Sequence, residues 1–397
     1  MKGKDIIMFG LQPWDIPIGS NFKNMALEIA KDNRVLYINR PLDRASLYRN
    51  KNNPQIQARI KSRTSGEGLF SEPVPGLSTF NPRVVLESIN WLPDNFLYDL
   101  FNKRNGKKLA GEILWAAQKL DLKDPWLITD NDFFNGLYLS EYIQPVKWVH
   151  YIRDFLLSQE YFQKHGHRAE PEMMRKADAV AANSLYLANY AAKYNPVVAD
   201  IGQGCEVEEF MTPAPEPCDM ISIPHPRIGY CGSITSTRLD IALLEFIARQ
   251  QPGWHIVLVG PEDDKFRDSA LHSLSNVHFT GSKKPEELPA YVHSFDVCIN
   301  PQVLNQMTIG NYPRKVDEYL AAGKPVVATR TEAMEAFVPL CILCSNGEEY
   351  INGIRKALET SGDEIEIRAR KKLAGSHTWE ASVNKLYQLC KKIEHGS

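Results

Sequence analysis

Short apolar runs separated by helix-length segments alternate along the chain, and their lengths set the first expectations. In the first half, residues 5–10, 34–38, 126–129, 147–151, 178–182 and 197–200 are apolar stretches of strand length. A buried parallel strand reads this way because both of its faces are covered. Between the first two, SNFKNMALEIAK at 20–31 puts Phe22, Met25, Leu27 and Ile29 on an imperfect helical face, with Ser20 or Asn21 able to cap it. The alternation restarts after residue 226, with strands at 227–231, 254–260, 277–280 and 296–300 and helices at 239–250 and 285–294. Prolines at 213, 215, 217, 224 and 226 separate the halves as a linker or an extended connection. Strand and helix in turn, twice over, predict an α/β chain with two doubly wound parallel sheets. A last apolar periodicity at 378–393, capped by Thr378, carries Trp379, Val383, Leu386, Leu389 and Ile393 as a terminal helix. Residues 44–68, basic and poor in large apolar groups, read as a mobile loop or a weak helix.

The segment NYPRKVDEYLAAGKPVVAT at 311–329 holds the strongest local signal. Pro313 suits a first helical turn and Gly323 suits the left-handed residue that ends a helix, which predicts a helix over 313–322. Val316, Tyr319 and Leu320 should face the core, while Lys315 and Glu318 share another face one turn apart. Free N–H groups and the positive end of the helix dipole favour an anion at such a start, and Arg314 and Lys315 add full charges. A phosphate-bearing ligand follows from that chemistry.

With 397 residues, 43% of them hydrophobic, the chain has room for two cores. A net charge of -2 argues against a nucleic-acid partner, which usually calls for a basic excess. No apolar stretch approaches the roughly 18 residues of a membrane span, and the first apolar run is too short for a secretory signal. A cytoplasmic protein is expected, with peripheral contact at the inner face of the cell membrane left open. The seven cysteines are scattered and fit a reducing compartment. Cys341 and Cys344 form a C-x-x-C, but they sit inside an apolar run without a second ligand pair, so a buried strand is preferred to a zinc or redox site.

Taken in order, IGYCGSI at 228–234, DIALL at 240–244, WHIVLVGP at 254–261, NVHFTG at 276–281, ELPAY at 287–291, FDV at 295–297 and the Pro313-x-Lys315-x-x-Glu318 segment resemble the donor-binding half of GT-B glycosyltransferases. The resemblance is to bacterial retaining family-four enzymes, in the branch that builds exopolysaccharides and teichuronic-acid-like wall polymers. It is thinner in the first half, where VHYIRD at 149–154, KADAVAANS at 176–184 and GQGCE at 202–206 are similar to family segments. The resemblance implies two Rossmann-like domains facing across a cleft: an acceptor-binding domain at 1–205, a nucleotide-sugar-binding domain at 206–375, and a helix at 376–397 returning to the first.

By that resemblance Glu318 holds the ribose hydroxyls, work for which a carboxylate accepting from two vicinal hydroxyls is suited; the alternative is a solvated or ion-paired glutamate. Lys315, and less firmly Arg314, meet the leaving diphosphate, with backbone groups from Thr308 to Asn311 assisting. Family members carry a second glutamate where this chain has Gly310, and many carry an arginine after the Gly232 position, where Ser233 stands here. Arg238 is a candidate substitute for that arginine, against an exposed surface role. Phe279 lies where the family brackets the base, or it packs in the core. On the acceptor side, Gly19, His150, Arg153 and Asp154 are expected at the carboxyl ends of strands. Asp154 would contact the attacking hydroxyl, unless it is a cap or an ion-pair partner and the donor phosphate takes the proton. Trp14 and Asp15 could line the same cleft. Trp91, Leu92, Pro93, Phe96, Leu97, Leu100 and Phe101 lie among Arg83, Lys103, Arg104, Lys107 and Lys108, which suits either a membrane-docking face or, preferred here, a helix packed into its own domain.

The function expected is transfer of a sugar, with retention, from a nucleotide-sugar donor to a saccharide acceptor, lipid-linked or not, in surface-polysaccharide synthesis. No metal and no other cofactor are expected, and no nucleic acid. The alternatives are an inactive donor-binding subunit, motivated by Gly310 and Ser233, and a sugar-nucleotide epimerase of the same architecture.

Overall fold

Burial follows the apolar runs closely enough to explain both sheets. In the computed structural model, which describes residues 1–16, 20–49 and 52–394, sixteen strands form. The first ten are β1 Asp5–Phe9, β2 Arg34–Ile38, β3 Leu42–Asp43, β4 Phe70–Val74, β5 Leu77–Phe80, β6 Val85–Leu86, β7 Trp126–Thr129, β8 Trp148–Ile152, β9 Ala179–Ala182 and β10 Val198–Asp200. The remainder are β11 Arg227–Cys231, β12 His255–Val259, β13 Val277–Gly281, β14 Val297–Asn300, β15 Val326–Thr329 and β16 Cys341–Cys344. The chain divides into two units, Met1–Gly202 with Trp379–Ser397, and Gln203–Thr378.

Unit 1 holds an eight-stranded sheet in the order β10-β9-β8-β7-β1-β2-β5-β4. All neighbours are parallel except the β4–β5 hairpin, which the apolar pattern does not predict. Short strands β3 and β6 pair separately. Three helices matter here: α1 Asn21–Ala30, α2 Phe96–Lys119 and α3 Glu160–Lys176. Ser20 caps α1, its hydroxyl accepting from the Lys23 N–H at 3.2 Å. The region expected to be mobile or weakly helical forms helices Arg44–Arg49 and Pro54–Ser65, the second pinned by buried Arg59, which pairs with Asp15 at 2.8 Å.

Unit 2 holds six parallel strands in the order β13-β12-β11-β14-β15-β16, the 3-2-1-4-5-6 order of a dinucleotide-binding sheet. Its helices include α4 Ile241–Gln250, α5 Arg314–Ala321 and α6 Gly347–Glu359. Cys341 and Cys344 lie buried within β16 as free thiols. The chain passes from unit 1 to unit 2 at Gly202, ahead of the proline-rich stretch, whose Met220 and Ile223 are buried in the core of unit 2. The last helix, α7 Trp379–Glu394, belongs to unit 1, where Val383, Leu386, Leu389, Cys390 and Ile393 join the core formed with α1 and the sheet.

One buried acid makes unit 1 sensitive to pH. Glu170 on α3 is 2% exposed, its carboxyl is pushed up to about 7 by burial, and it accepts a hydrogen bond from Tyr190 at 2.8 Å. A carboxyl whose folded pKa is raised stabilises the fold below its unfolded pKa, and that contribution is lost as pH rises through the folded value. Glu170→Gln should therefore flatten the decline in melting temperature between about pH 5 and about pH 8, and should raise the melting temperature at the upper end. A thermal-unfolding series across that range checks this; an unchanged slope would show that Glu170 is not its source.

Candidate functional site

In a doubly wound sheet the loops leaving the two strands at the switch in strand order part and leave a crevice. In unit 2 those strands are β11 and β14, which are hydrogen-bonded neighbours with helices α4 and α5 following them in the chain. Helix α5 begins at Arg314 after Pro313, and Gly323 just beyond it has φ +77, so the terminators read from sequence fall where the helix ends. Val316, Tyr319 and Leu320 are fully buried. The Tyr319 hydroxyl accepts from the Cys231 N–H at 2.9 Å, which fastens α5 to the end of β11.

That fastening brings the Lys315 ammonium directly over Gly232. A Cβ at Gly232 would stand 2.0 Å from Lys315 Nζ and 2.4 Å from its Cε, and Gly232 has φ +143. Glycine is required twice over, by conformation and by approach. The ammonium also lies 5.5 Å from the Tyr230 ring centroid. Burial pushes the Lys315 pKa down; Glu318 opposes that shift, and Arg238 and Arg314 add to it. Burial pushes the Glu318 carboxyl up, against the charges of Lys315 and Arg314. Arg314 Nε lies 3.3 Å from Glu318 Oε1. Two cations, Lys315 and Arg314, thus flank one partly buried carboxylate at a helix start, with Arg238 near the lysine, an arrangement that would accept an anion.

The loop after β14 is built by side chains rather than left open. Asn305 Oδ1 accepts from the Met307 and Thr308 N–H groups at 2.9 and 3.0 Å, and Asn305 Nδ2 donates to Thr237 O at 2.9 Å. Thr308 is 3% exposed and its hydroxyl donates to Val303 O, so its side chain braces the turn. The Asn311 N–H donates to Thr308 O at 3.2 Å, and Gly310 lies between them. Ser233 is exposed, with its carbonyl accepting from the Tyr230 hydroxyl at 3.3 Å. Phe279 stacks on His272 at 4.0 Å between centroids and packs against the core at its edge.

A second cluster on α5 has no counterpart in the sequence reading. Asp317 is fully buried and accepts from Cys205 Sγ at 3.1 Å and the Tyr312 hydroxyl at 2.8 Å, with His377 Nδ1 at 2.6 Å. The Cys205 N–H donates to His377 O at 2.9 Å. Asp317 therefore ties Cys205 and His377, near the two ends of unit 2, to the helix that carries Lys315 and Glu318.

Near the switch point of unit 1, between β1 and β7, Arg153 and Asp154 follow the end of β8 and meet around a residue the sequence did not single out. Asp130 is fully buried; Arg153 Nε lies 3.1 and 3.2 Å from its two carboxylate oxygens and Arg153 Nη1 donates to Asp154 Oδ2 at 3.0 Å. Gly10 closes on this group, since a Cβ there would stand 2.4 Å from Asp130 Cβ. His150, expected at the open end of its strand, sits inside β8 with no exposure, 3.0 Å from Thr129 Oγ1, and burial pushes its pKa down to about 3. It is a neutral sheet residue. Gly19 lies outside the described residues. Trp14 packs edge-on to Tyr37 at 5.3 Å.

Residues 225–360 match the family model described as glycosyl transferases group 1. A 241-residue stretch is 29% identical to a protein of Bacillus subtilis (strain 168) whose name is that of a teichuronic acid biosynthesis glycosyltransferase, TuaH. The alignment covers 57% of this chain and spans 60% of that relative's length. Among solved structures, sucrose-phosphate synthase from Thermosynechococcus elongatus superposes with a TM-score of 0.65 at 17% identity, over 99% of this chain and 100% of that one. Anabaena Alr3699/HepE in complex with UDP gives 0.63 at 15% identity, over 98% and 99%. The complex of the same protein with UDP-glucose gives 0.60 at 14% identity, over 98% and 99%. Residues 225–360 are therefore similar to the glycosyl transferases group 1 family, in a chain that shares the GT-B fold of these solved structures, two Rossmann-like units.

Proposed function

We propose that this protein is a nucleotide-sugar-dependent glycosyltransferase that adds a sugar to a saccharide acceptor during surface-polysaccharide synthesis, with retention of configuration and without a metal. The observation that carries the reading is the Lys315 ammonium held over Gly232 beside Glu318, at the switch point of a six-stranded parallel sheet. Lys315, Arg314 and the N–H groups opening α5 take the diphosphate, and Glu318 accepts from the ribose hydroxyls. In the reaction the bond from the anomeric carbon to the phosphate oxygen breaks, the bond to the acceptor oxygen forms, and the nucleoside diphosphate leaves with the electron pair. Positive charge already in place lowers the cost of that departure. Asp154 holds Arg153 through Oδ2, so the leaving phosphate oxygen is the proton acceptor in this reading. Anabaena Alr3699/HepE, in complex with UDP and with UDP-glucose, shares the fold and supports a nucleotide-sugar donor.

A panel of nucleotide sugars screened by saturation-transfer NMR, followed by donor-hydrolysis assays, tests it. Slow hydrolysis that disappears in Lys315→Ala and Glu318→Ala supports a transferase. Binding without turnover in any acceptor extract would point to an inactive donor-binding subunit, the reading that Gly310 motivates. Release of an epimerised nucleotide sugar would overturn transfer in favour of the epimerase.

Peripheral contact with an anionic membrane belongs to the same proposal. No helix among the described residues is long and apolar enough to cross a membrane. Helix α2 does pack into unit 1, as preferred from sequence, through Leu109, Ala110 and Ile113, yet its first turns do not: Phe96 is 73% exposed, Leu100 62% and nearby Trp91 75%. Leu97 and Phe101 are exposed with them, and Arg104 and Lys107 continue the same helical face. Apolar side chains backed by cations match a surface of anionic lipid headgroups. Phe96→Ser with Leu100→Ser should cut co-sedimentation with vesicles containing phosphatidylglycerol about tenfold while leaving hydrolysis of the donor unchanged. Equal sedimentation of the variant would remove the membrane from the proposal.

A further inference from the structure

Helix α5 opens without a side-chain cap. Its N-cap position is Pro313, whose side chain makes no capping hydrogen bond, whereas Asp240 and Asn346 cap α4 and α6 through their side chains. The approach to α5 is held from inside the helix instead. Asp317, in the first turn, reaches back past the proline to Tyr312, whose hydroxyl donates to Oδ2 at 2.8 Å. The Tyr312 carbonyl in turn accepts the Arg314 N–H at 3.1 Å. One side chain thus fastens the segment leaving Gly310 to the helix that carries Lys315 and Glu318.

The same carboxylate is held from two further sides. His377 Nδ1 lies 2.6 Å from Oδ1, and Cys205 Sγ donates to Oδ2 at 3.1 Å. Burial pushes the Cys205 thiol pKa up and the Asp317 charge adds to that shift, so the thiol keeps its proton and donates. Donors from three segments therefore converge on two oxygens of a side chain with no exposure. Its neighbours Val316 and Leu320 are fully buried and apolar. At such a position an apolar side chain of similar volume often stabilises the fold as well as a carboxylate, or better. What the carboxylate alone supplies is direction, because each donor must lie near an oxygen lone pair. That direction is imposed on the turn from which the Lys315 ammonium and the Glu318 carboxylate project.

We infer that Asp317 is a positioning residue of the donor site: through Tyr312, Cys205 and His377 it fixes the first turn of α5, and with it Lys315 and Glu318, without touching the donor itself. The inference rests on the transferase reading and names a residue through which that site is held.

Calorimetric titration of the full chain with UDP, GDP, ADP, CDP and TDP, beside denaturant titration of the same variants, tests it. For the diphosphate that the parent binds, Asp317→Val should weaken binding about tenfold. Tyr312→Phe, which removes one bond and keeps the ring, should weaken it about fivefold, and it carries the test if Asp317→Val does not fold. Asp317→Asn should bind within about twofold of the parent, since its carbonyl accepts from Tyr312 and Cys205 while its amide donates to His377 Nδ1 in the other tautomer. In the Lys315→Ala background, Asp317→Val should weaken the diphosphate further by less than about threefold, because one of the groups it positions is gone. Affinity unchanged in Asp317→Val and Tyr312→Phe, with lower denaturation midpoints, would make Asp317 a structural residue only and leave the transferase standing. Equal weakening by Asp317→Asn and Asp317→Val would overturn the directional role. Diphosphate binding that depends on Asp317, in a chain that turns over no nucleotide sugar, would keep the positioning role and sink the transferase. A parent chain that binds none of the five would overturn both.

Discussion

Lys315→Ala is expected to lower kcat by about 10²–10³-fold, the range found when one preorganised donor to a developing negative charge is removed. The lysine is placed for that effect by three constraints: the first turn of α5, the absence of a side chain at Gly232, and the Tyr319 bond to Cys231 that fixes the helix to the sheet. Its charge is held at a cost, since burial and the neighbouring Arg238 and Arg314 all depress its pKa. Removing a half-buried ammonium relieves that cost, so the variant should fold with a melting temperature equal to or above the parent's even as activity collapses. The pH dependence has a definite sign. Donor affinity should fall as pH rises through the depressed lysine pKa, earlier than an exposed lysine would allow, and Lys315→Ala should abolish that alkaline limb. An acid limb is expected from Glu318, whose raised pKa makes it protonate earlier than an exposed glutamate. Steady-state kinetics across pH check both limbs. Retention of kcat within about twofold in Lys315→Ala would place the diphosphate elsewhere.

Gly232→Ala should produce the second large effect, divided between stability and binding. A non-glycine residue at φ +143 is strained by about 1–3 kcal/mol, which a denaturant titration would read as a lower midpoint. The steric conflict falls on the movable end of Lys315, 2.0 Å from the new Cβ, so the fold escapes by displacing the ammonium. Donor affinity should therefore drop about tenfold or more, a loss comparable with deleting one charge-assisted contact. Combining the two substitutions separates the routes. If the methyl acts on the donor through the lysine, then in the Lys315→Ala background Gly232→Ala should weaken the donor further by less than about twofold, while its stability cost persists. Full additivity in donor affinity would mean that Gly232 meets the ligand through its own backbone.

Much of unit 2 is legible from sequence because its signals are local. Pro313 and Gly323 mark the ends of α5 without reference to anything distant, and the three-residue spacing of Lys315 and Glu318 is a property of one helix. The parallel strands are legible for a related reason, since a strand covered on both faces must be apolar along its length. Local rules failed where a distant segment decides. Pro171 argues against a helix, yet α3 runs through it, buried against the rest of unit 1. His150 reads as polar and near a strand end, but the register of β8 against β7 sets it opposite Thr129, inside the sheet. The backbone groups from Thr308 to Asn311 read as donors to a diphosphate until the Thr308 and Asn311 N–H groups are seen to bond Asn305 Oδ1 and Thr308 O.

The chain itself therefore determined that there are two doubly wound sheets, that α5 opens with cations ahead of a carboxylate, and that Cys341 and Cys344 lie in a strand. Each follows from residues within a few positions of one another. Tertiary structure alone decided that Gly232 lies beneath Lys315, that Asp130 rather than His150 anchors Arg153, and that Asp317 gathers Cys205, Tyr312 and His377. Those facts depend on which segments meet, and segments meet according to strand order and register, which sequence spacing does not encode.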